Sequence, residues 1–293
     1  MPSRPVIVCD ILGTLFPLTP IGPFIQSLIS HQLTSTTPPH STLILPSPIL
    51  LADLLYAELL KDSASLTLAN TYTPIATLLP RLVERVVSKF LYRHVGGGAG
   101  GSGGGGGFDV AYRLSEADTT QLQSVVATLP PRQHAREFVR RLSSGGCTLV
   151  ALSNGGVGTT KNLLQHAGLE HSFAAVLSAE QVKRSKPDSR VYELVEDGGY
   201  GGSNSSGSGG LVFVSVHMWD CMGVLAYNRV QQEAAASGVG KVRQTYTVCY
   251  VSEEERRWLL EDGDRPAIVA SDLNDAATRI EQLTGISSAT TTG

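Results

Sequence analysis

Asp10 stands at the end of the apolar run Val6-Ile7-Val8-Cys9 and is followed at once by Leu-Gly-Thr-Leu-Phe. Such a run reads as a strand buried on both faces, and a carboxylate beside it is costly to desolvate unless something specific holds it. An acid in that place either opens a turn or does chemistry, and the chemistry open to it is nucleophilic attack with formation of an ester. More polar groups follow other apolar runs: Ser153 and Asn154 close "TLVALSN", and Ser215, His217 and Asp220 lie in "FVSVHMWDCMG". Hydroxyls and an amide supply hydrogen bonds that fix a carboxylate or a bound anion.

Groups so far apart in the chain need a scaffold that brings them together. Strand-like runs at 148–154, 211–216, 245–251 and 267–271 are interleaved with helix-like stretches such as "RQHAREFVRRLSS" and "SRVYELVED". That alternation predicts an α/β fold with a doubly wound parallel sheet. In open sheets of this kind ligands bind beyond the carboxyl ends of the strands, near a topological switch point, where Asp10, Ser153-Asn154 and Ser215–Asp220 fall. From about Pro17 to Thr128 the pattern changes: "PILLADLLYAELLKDSASLTLA" and "IATLLPRLVERVVSKFLYRH" carry apolar residues at three-and-four spacing, so helices interrupt the sheet after its first strand. Gly96–Gly107 and Gly198–Gly210 read as flexible loop insertions, since neither has the strand-Gly-Lys-Ser/Thr or strand-GxGxxG context of a phosphate cradle. Leu33–Pro48, rich in Pro, Thr and Ser, reads as an irregular excursion.

The totals narrow the classes. The 293 residues, 42% of them hydrophobic, fill a large domain or a core with a smaller companion. With 23 basic and 26 acidic residues the formal charge is -3, and no basic block is present to track nucleic acid or an acidic membrane. Cysteines 9, 147, 221 and 249 have neither zinc-site nor disulfide-framework spacing, which suits a reducing compartment. No apolar stretch reaches membrane-spanning length, so a cytoplasmic protein is expected, with a small-molecule substrate. A homodimer is one assembly the sequence leaves open.

Four stretches, in order, resemble the haloacid dehalogenase superfamily and within it the type II L-2-haloacid dehalogenases. They are "CDILGTLF" with Asp10 and Thr14, "ALSNG" with Ser153 and Asn154, "KRSKPDSRVY" with Lys186 and Tyr192, and "FVSVHMWDCMG" with Ser215, His217 and Asp220. The resemblance implies a Rossmann-like core over 1–18 and 130–283, a helical cap inserted at 19–129 that carries the first glycine tract, and a flexible tail at 284–293. It implies that Asp10 is the nucleophile and that Lys186 keeps it ionised and offsets developing charge. Asp220 would orient Lys186 or position the hydrolytic water, and Thr14 would fix Asp10 once Gly13 lets the chain fold back. Leu12, Ser153, Asn154, Tyr192, Ser215 and His217 would line the substrate site. The cap would close over Asp10, exclude water and choose the substrate.

The residues also bear on the reaction. Phosphatases of the superfamily carry a second acid two residues after the nucleophile to protonate the leaving group, whereas this chain has Leu12. Halide leaves without a proton. Two carboxylates beside a lysine would hold a divalent ion poorly, so no metal and no cofactor is expected; magnesium would be needed only by a phosphatase. Three positions depart from the dehalogenase pattern. No arginine lies between Arg4 and Arg81 to serve as the cap arginine that binds substrate and halide, His217 stands in place of asparagine, and Leu12 stands in place of an aromatic residue. With the cap arginine lost, His217 gaining charge at low pH is expected to raise activity there. The reading is a 2-haloacid dehalogenase acting through an aspartyl ester. A phosphatase or other hydrolase on the same scaffold, and a non-catalytic binding protein that keeps the fold, are the alternatives.

Overall fold

The computed structural model describes residues 4–36, 44–95, 111–201, 210–238, 243–252 and 265–286. Two compact units divide the chain: Met1–Pro17, Thr67–Tyr72 and Pro130–Gly293 form the first, and Leu18–Leu66 with Thr73–Leu129 the second.

The first unit is built on a six-stranded parallel sheet of β1 (Val6–Cys9), β2 (Thr148–Ser153), β3 (Phe173–Ser178), β4 (Leu211–Ser215), β5 (Tyr246–Val251) and β6 (Ile268–Ala270), in the order β3-β2-β1-β4-β5-β6. β1 is central, pairing Cys9 with Ala151 of β2 on one side and Val214 of β4 on the other. Every residue of β1 is buried, as a strand covered on both faces requires. The chain winds outward to β3, then restarts on the far side of β1, so the switch point lies between β1 and β4 and Asp10 opens onto it. β3 is the strand the hydrophobic pattern does not announce. It is an edge strand with two alanines, and Ala174, Ala175 and Val176 are not fully buried, so the continuous apolar run that marks its neighbours is absent.

The helices of this unit are α5 (Ala135–Ser144), α6 (Val157–His166), α7 (Ser189–Asp197), α8 (Met218–Ser237) and α9 (Leu273–Thr284). The second unit holds α1 (Ile21–Thr36), α2 (Pro48–Leu68, its last two residues grouping with the first unit), α3 (Ile75–Val95) and α4 (Glu116–Ala127). There α1 packs on α3 and α4, with Ile25, Ile29, Leu55, Val83 and Val86 among its buried side chains. Two expectations change. Leu33–Thr36, read as part of an irregular excursion, completes α1; positions 37–43 of that stretch lie outside the described residues. The second glycine tract begins as a helix-ending turn: Gly199, at φ +83°, donates its amide to Glu196 O, and the Tyr200 hydroxyl is tied to Ala174 O at 3.1 Å. The first tract, positions 202–209 of the second, and the tail at 287–293 lie outside the described residues.

Candidate active site

Past the end of β1 the chain reverses within four residues. Asp10 still donates its amide to Val214 O at 3.0 Å, and Gly13 then adopts φ +87°. A side chain at Gly13 is excluded twice: L-residues rarely adopt that angle, and a Cβ there would lie 2.1 Å from His217 Nε2. The turn brings Thr14 back under Asp10, where its hydroxyl donates to Asp10 Oδ2 at 2.5 Å and accepts the Val216 amide at 3.1 Å.

Lys186 reaches the same carboxylate from the segment before α7. Its Nζ donates to Asp10 Oδ1 at 2.5 Å and to Asp220 Oδ2 at 2.6 Å. None of the three side chains is more than 3% exposed. Asp220 sits in the first turn of α8, and its other oxygen, Oδ1, is buried without a hydrogen-bond partner. Burial pushes the Asp220 carboxyl up to about 7, against the pull of Lys186. Burial alone would lower Lys186, but Asp10 and Asp220 outweigh it and its pKa is raised, so the ammonium stays charged.

The other expected site residues fall into two groups. Ser153, Asn154, Ser215, His217 and Leu12 surround the Asp10 turn. Ser215 Oγ accepts the His217 amide at 3.0 Å and lies 3.4 Å from Thr14 Oγ1. Ser153 Oγ accepts the Gly155 amide at 2.9 Å, which leaves its own proton to donate. Asn154 Oδ1 accepts the Lys186 amide at 2.8 Å, so its NH2 group remains to bind a ligand. Neither caps α6, whose cap position is Gly156. Leu12 Cδ1 lies over Gly155, within 2.9 Å of where a Cβ there would stand.

Tyr192 lies beside Asp220, and the expected charging of His217 turns out differently. Tyr192 is fully buried among Phe213, Tyr227 and Tyr246, and its hydroxyl donates to the backbone oxygen of Asp220 at 3.3 Å. Its ring packs in the aromatic core while its hydroxyl meets the backbone of Asp220, so it touches the Lys186–Asp220 pair from the core side. His217 Nε2 lies 3.2 Å from Leu12 O and 3.8 Å from Asp10 Oδ2. Burial lowers its pKa to about 4, with Asp10 opposing, so the ring is neutral near pH 7 and does not gain charge in mild acid.

Three contributors were not legible in the motifs. Arg132, two residues past the start of the returning chain, donates to Gly13 O and Thr14 O at 2.7 and 2.9 Å. Ser178, at the end of the unannounced β3, donates to Gly155 O at 2.8 Å and holds the Ser153–Gly155 turn. Gly155 itself leaves room for Leu12. The available signal for Arg132 was its place directly after Pro130-Pro131, where the chain re-enters the sheet.

A parallel sheet in this order, with an aspartate at the switch point salt-bridged to a buried lysine, defines a class. The chain matches the family profile of the haloacid dehalogenase-like hydrolases over residues 52–197. It is 28% identical over 163 residues to (S)-2-haloacid dehalogenase 2 of Pseudomonas sp. (strain CBS-3), covering 56% of this chain and 61% of that one. It is 37% identical over 95 residues to the (S)-2-haloacid dehalogenase of Pseudomonas sp. (strain YL), covering 32% and 39%. These matches thus span less than two thirds of either relative. In structure it resembles L-2-haloacid dehalogenase from Xanthobacter autotrophicus with a TM-score of 0.67 at 15% identity, over 95% of this chain and 99% of that one.

Proposed function

We propose that the protein hydrolyses the carbon–halogen bond of short 2-halocarboxylic acids through an ester on Asp10. The observation that carries this reading is the buried arrangement of Asp10, Lys186 and Asp220, in which one carboxylate is held by two donors and the other keeps a free oxygen. An Asp10 oxygen attacks C2 from the side opposite the halogen; the new C–O bond forms as the C–X pair leaves with halide, and the carbon inverts. Lys186 and Thr14 hold the attacking group against rotation. Water then adds to Cγ of the Asp10 ester, giving one proton to Asp220 Oδ1. The tetrahedral intermediate collapses by breaking the bond between Cγ and the ester oxygen, which stays on C2, takes the proton back from Asp220 and leaves as the 2-hydroxy acid. Asp10, now carrying the water oxygen, returns to the carboxylate by releasing its remaining proton to solvent. A carboxyl near 7 is well matched to that proton transfer at neutral pH.

The substrate carboxylate is received by the Ser153 hydroxyl and the Asn154 NH2. Without an arginine between Arg4 and Arg81, early in the inserted helices, this hold is weak, so a high KM is expected. No metal takes part in this reading, because the Lys186 ammonium already occupies the place between the two carboxylates that a divalent ion would need. Four buried free thiols support a reducing, cytoplasmic setting, and no helix among the described residues is long and apolar enough to cross a membrane.

The test is a screen of 2-chloro and 2-bromo acids and of phosphate esters, each with and without magnesium. Halide release that needs no divalent ion and is lost in Asp10→Asn is expected. Magnesium-dependent phosphate release with no halide would establish the phosphatase instead, and silence throughout would favour a binding protein.

A further inference from the structure

We propose that Arg132 is a positioning residue, the clamp that holds the Asp10–Thr14 turn in the geometry that presents the nucleophile. Three donors of this one residue meet three consecutive carbonyls of the turn. Nη2 reaches Gly13 O at 2.7 Å, Nε reaches Thr14 O at 2.9 Å, and the backbone amide reaches Leu15 O at 2.7 Å. The next carbonyl back, Leu12 O, faces His217 Nε2 at 3.2 Å, so the turn is gripped along its whole length.

The turn needs such a grip because of its own composition. Its pivot is Gly13, the residue type with the least resistance to backbone rotation, at a φ of +87°. A rotation there would swing Thr14, whose hydroxyl is the second donor to Asp10 and whose oxygen receives the Val216 amide. The chain thus couples the guanidinium to the carboxylate through Thr14: Arg132 fixes the Thr14 backbone, and Thr14 fixes the Asp10 rotamer. A planar fork with two N–H groups spaced to match two successive carbonyls does this in a way an ammonium does not, and its charge does not change with pH. Misplacing a nucleophile by about 1 Å costs on the order of 100-fold in rate, which sets the scale of the effect.

The inference rests on Asp10 acting as the nucleophile, and its test separates the two. Halide release from 2-chloropropionate is measured for wild type, Arg132→Gln, Arg132→Lys and Arg132→Ala, with kcat and KM resolved, beside thermal unfolding. Expected are a kcat about 100-fold lower in Arg132→Gln with KM within about threefold, no full recovery in Arg132→Lys, and partial rescue of Arg132→Ala by millimolar methylguanidinium but not by equal sodium chloride. Wild-type kcat in Arg132→Gln, or a loss no larger than the fraction unfolded, would overturn it. A second measurement does not depend on the reaction: amide hydrogen exchange at Gly13–Phe16 should quicken in Arg132→Gln while β1 stays protected. Unchanged exchange there overturns the clamp even if halide release is confirmed. Quickened exchange in a protein that releases no halide upholds the clamp and rejects the dehalogenase reading.

Discussion

In the first unit one ammonium serves two carboxylates; in the second, one carboxylate serves three cations. Lys186 lies between Asp10 and Asp220 with every partner buried. Glu58 of α2 instead accepts Lys61 at 2.5 Å, Lys89 at 2.5 Å and Arg85 at 3.0 Å, and Arg85 also reaches Asp62 at 2.9 Å. Those cations are 40 to 58% exposed. The residue types are the same and the electrostatic outcomes are opposite. Glu58, held first by its bond to Lys61, is lowered to about 2, whereas burial raises Asp220 to about 7. A buried cluster short of positive charge leaves an oxygen unmet and a proton easily gained or lost, which is the condition for acid–base work. A half-exposed cluster rich in cations satisfies its carboxylate fully and tethers α2 to α3.

The sharpest way to break this contrast is to remove the cation from each cluster. Lys186→Ala should lower kcat for halide release by about 1000-fold or more, because two carboxylates are then left facing each other and developing charge goes unanswered. Lys89→Ala should leave kcat within about twofold, since Glu58 keeps two other partners. Equal losses from the two variants would erase the distinction.

Next in size is the pH response. If Asp220 is the base, kcat should fall about tenfold per unit below pH 7, and Asp220→Asn should be slow with that acid limb gone. Rate rising in mild acid would instead return a charge to His217, which its burial opposes. Stability should sort the clusters by sign. The folded pKa of Asp220 is raised above 3.8, so its contribution is present below that value and is lost as pH climbs through about 7. The folded pKa of Glu58 is depressed, so its contribution is present above 4.5 and is lost as pH falls through about 2. Denaturant unfolding of Asp220→Asn and Glu58→Gln across this range would reveal the opposed trends.

Smaller again, Glu58→Ala should cost about 1–2 kcal/mol in urea unfolding, with kcat unaltered. The smallest effect is that of salt. Raising sodium chloride should trim the Glu58 contribution by a few tenths of a kcal/mol through screening of its exposed cations, while the Lys186 cluster, out of reach of counterions, should not respond. Thermal unfolding of wild type and Glu58→Ala at two salt concentrations gives the difference directly.

What could be read without a fold follows from interactions between near neighbours in the chain. Val6–Cys9, Thr148–Ser153 and Leu211–Ser215 are short apolar runs ended by polar residues, and that local pattern suffices to mark strands and to put Asp10, Ser153 and Ser215 at their carboxyl ends. The helical spacing of α2 and α3 was equally plain, and Asp188 caps α7 as a helix start after Lys186-Pro187 suggests. β3 escaped because its neighbours in sequence carry little of the signal; the sheet supplies its partners.

The remaining features depend on residues 28 to 176 positions apart, or on burial, and no spacing encodes those. The sequence alone determined which groups stand at strand ends and that a carboxylate leads them. Only the tertiary structure decided that Lys186 bridges Asp10 to Asp220, that Arg132 grips the turn 118 residues before it, that Tyr192 turns inward to brace Asp220, and that His217 is neutral. The reason is physical: a hydrogen bond or a pKa is set by whatever the fold places within a few ångströms, and a parallel sheet with crossover helices makes those neighbours from distant stretches of chain.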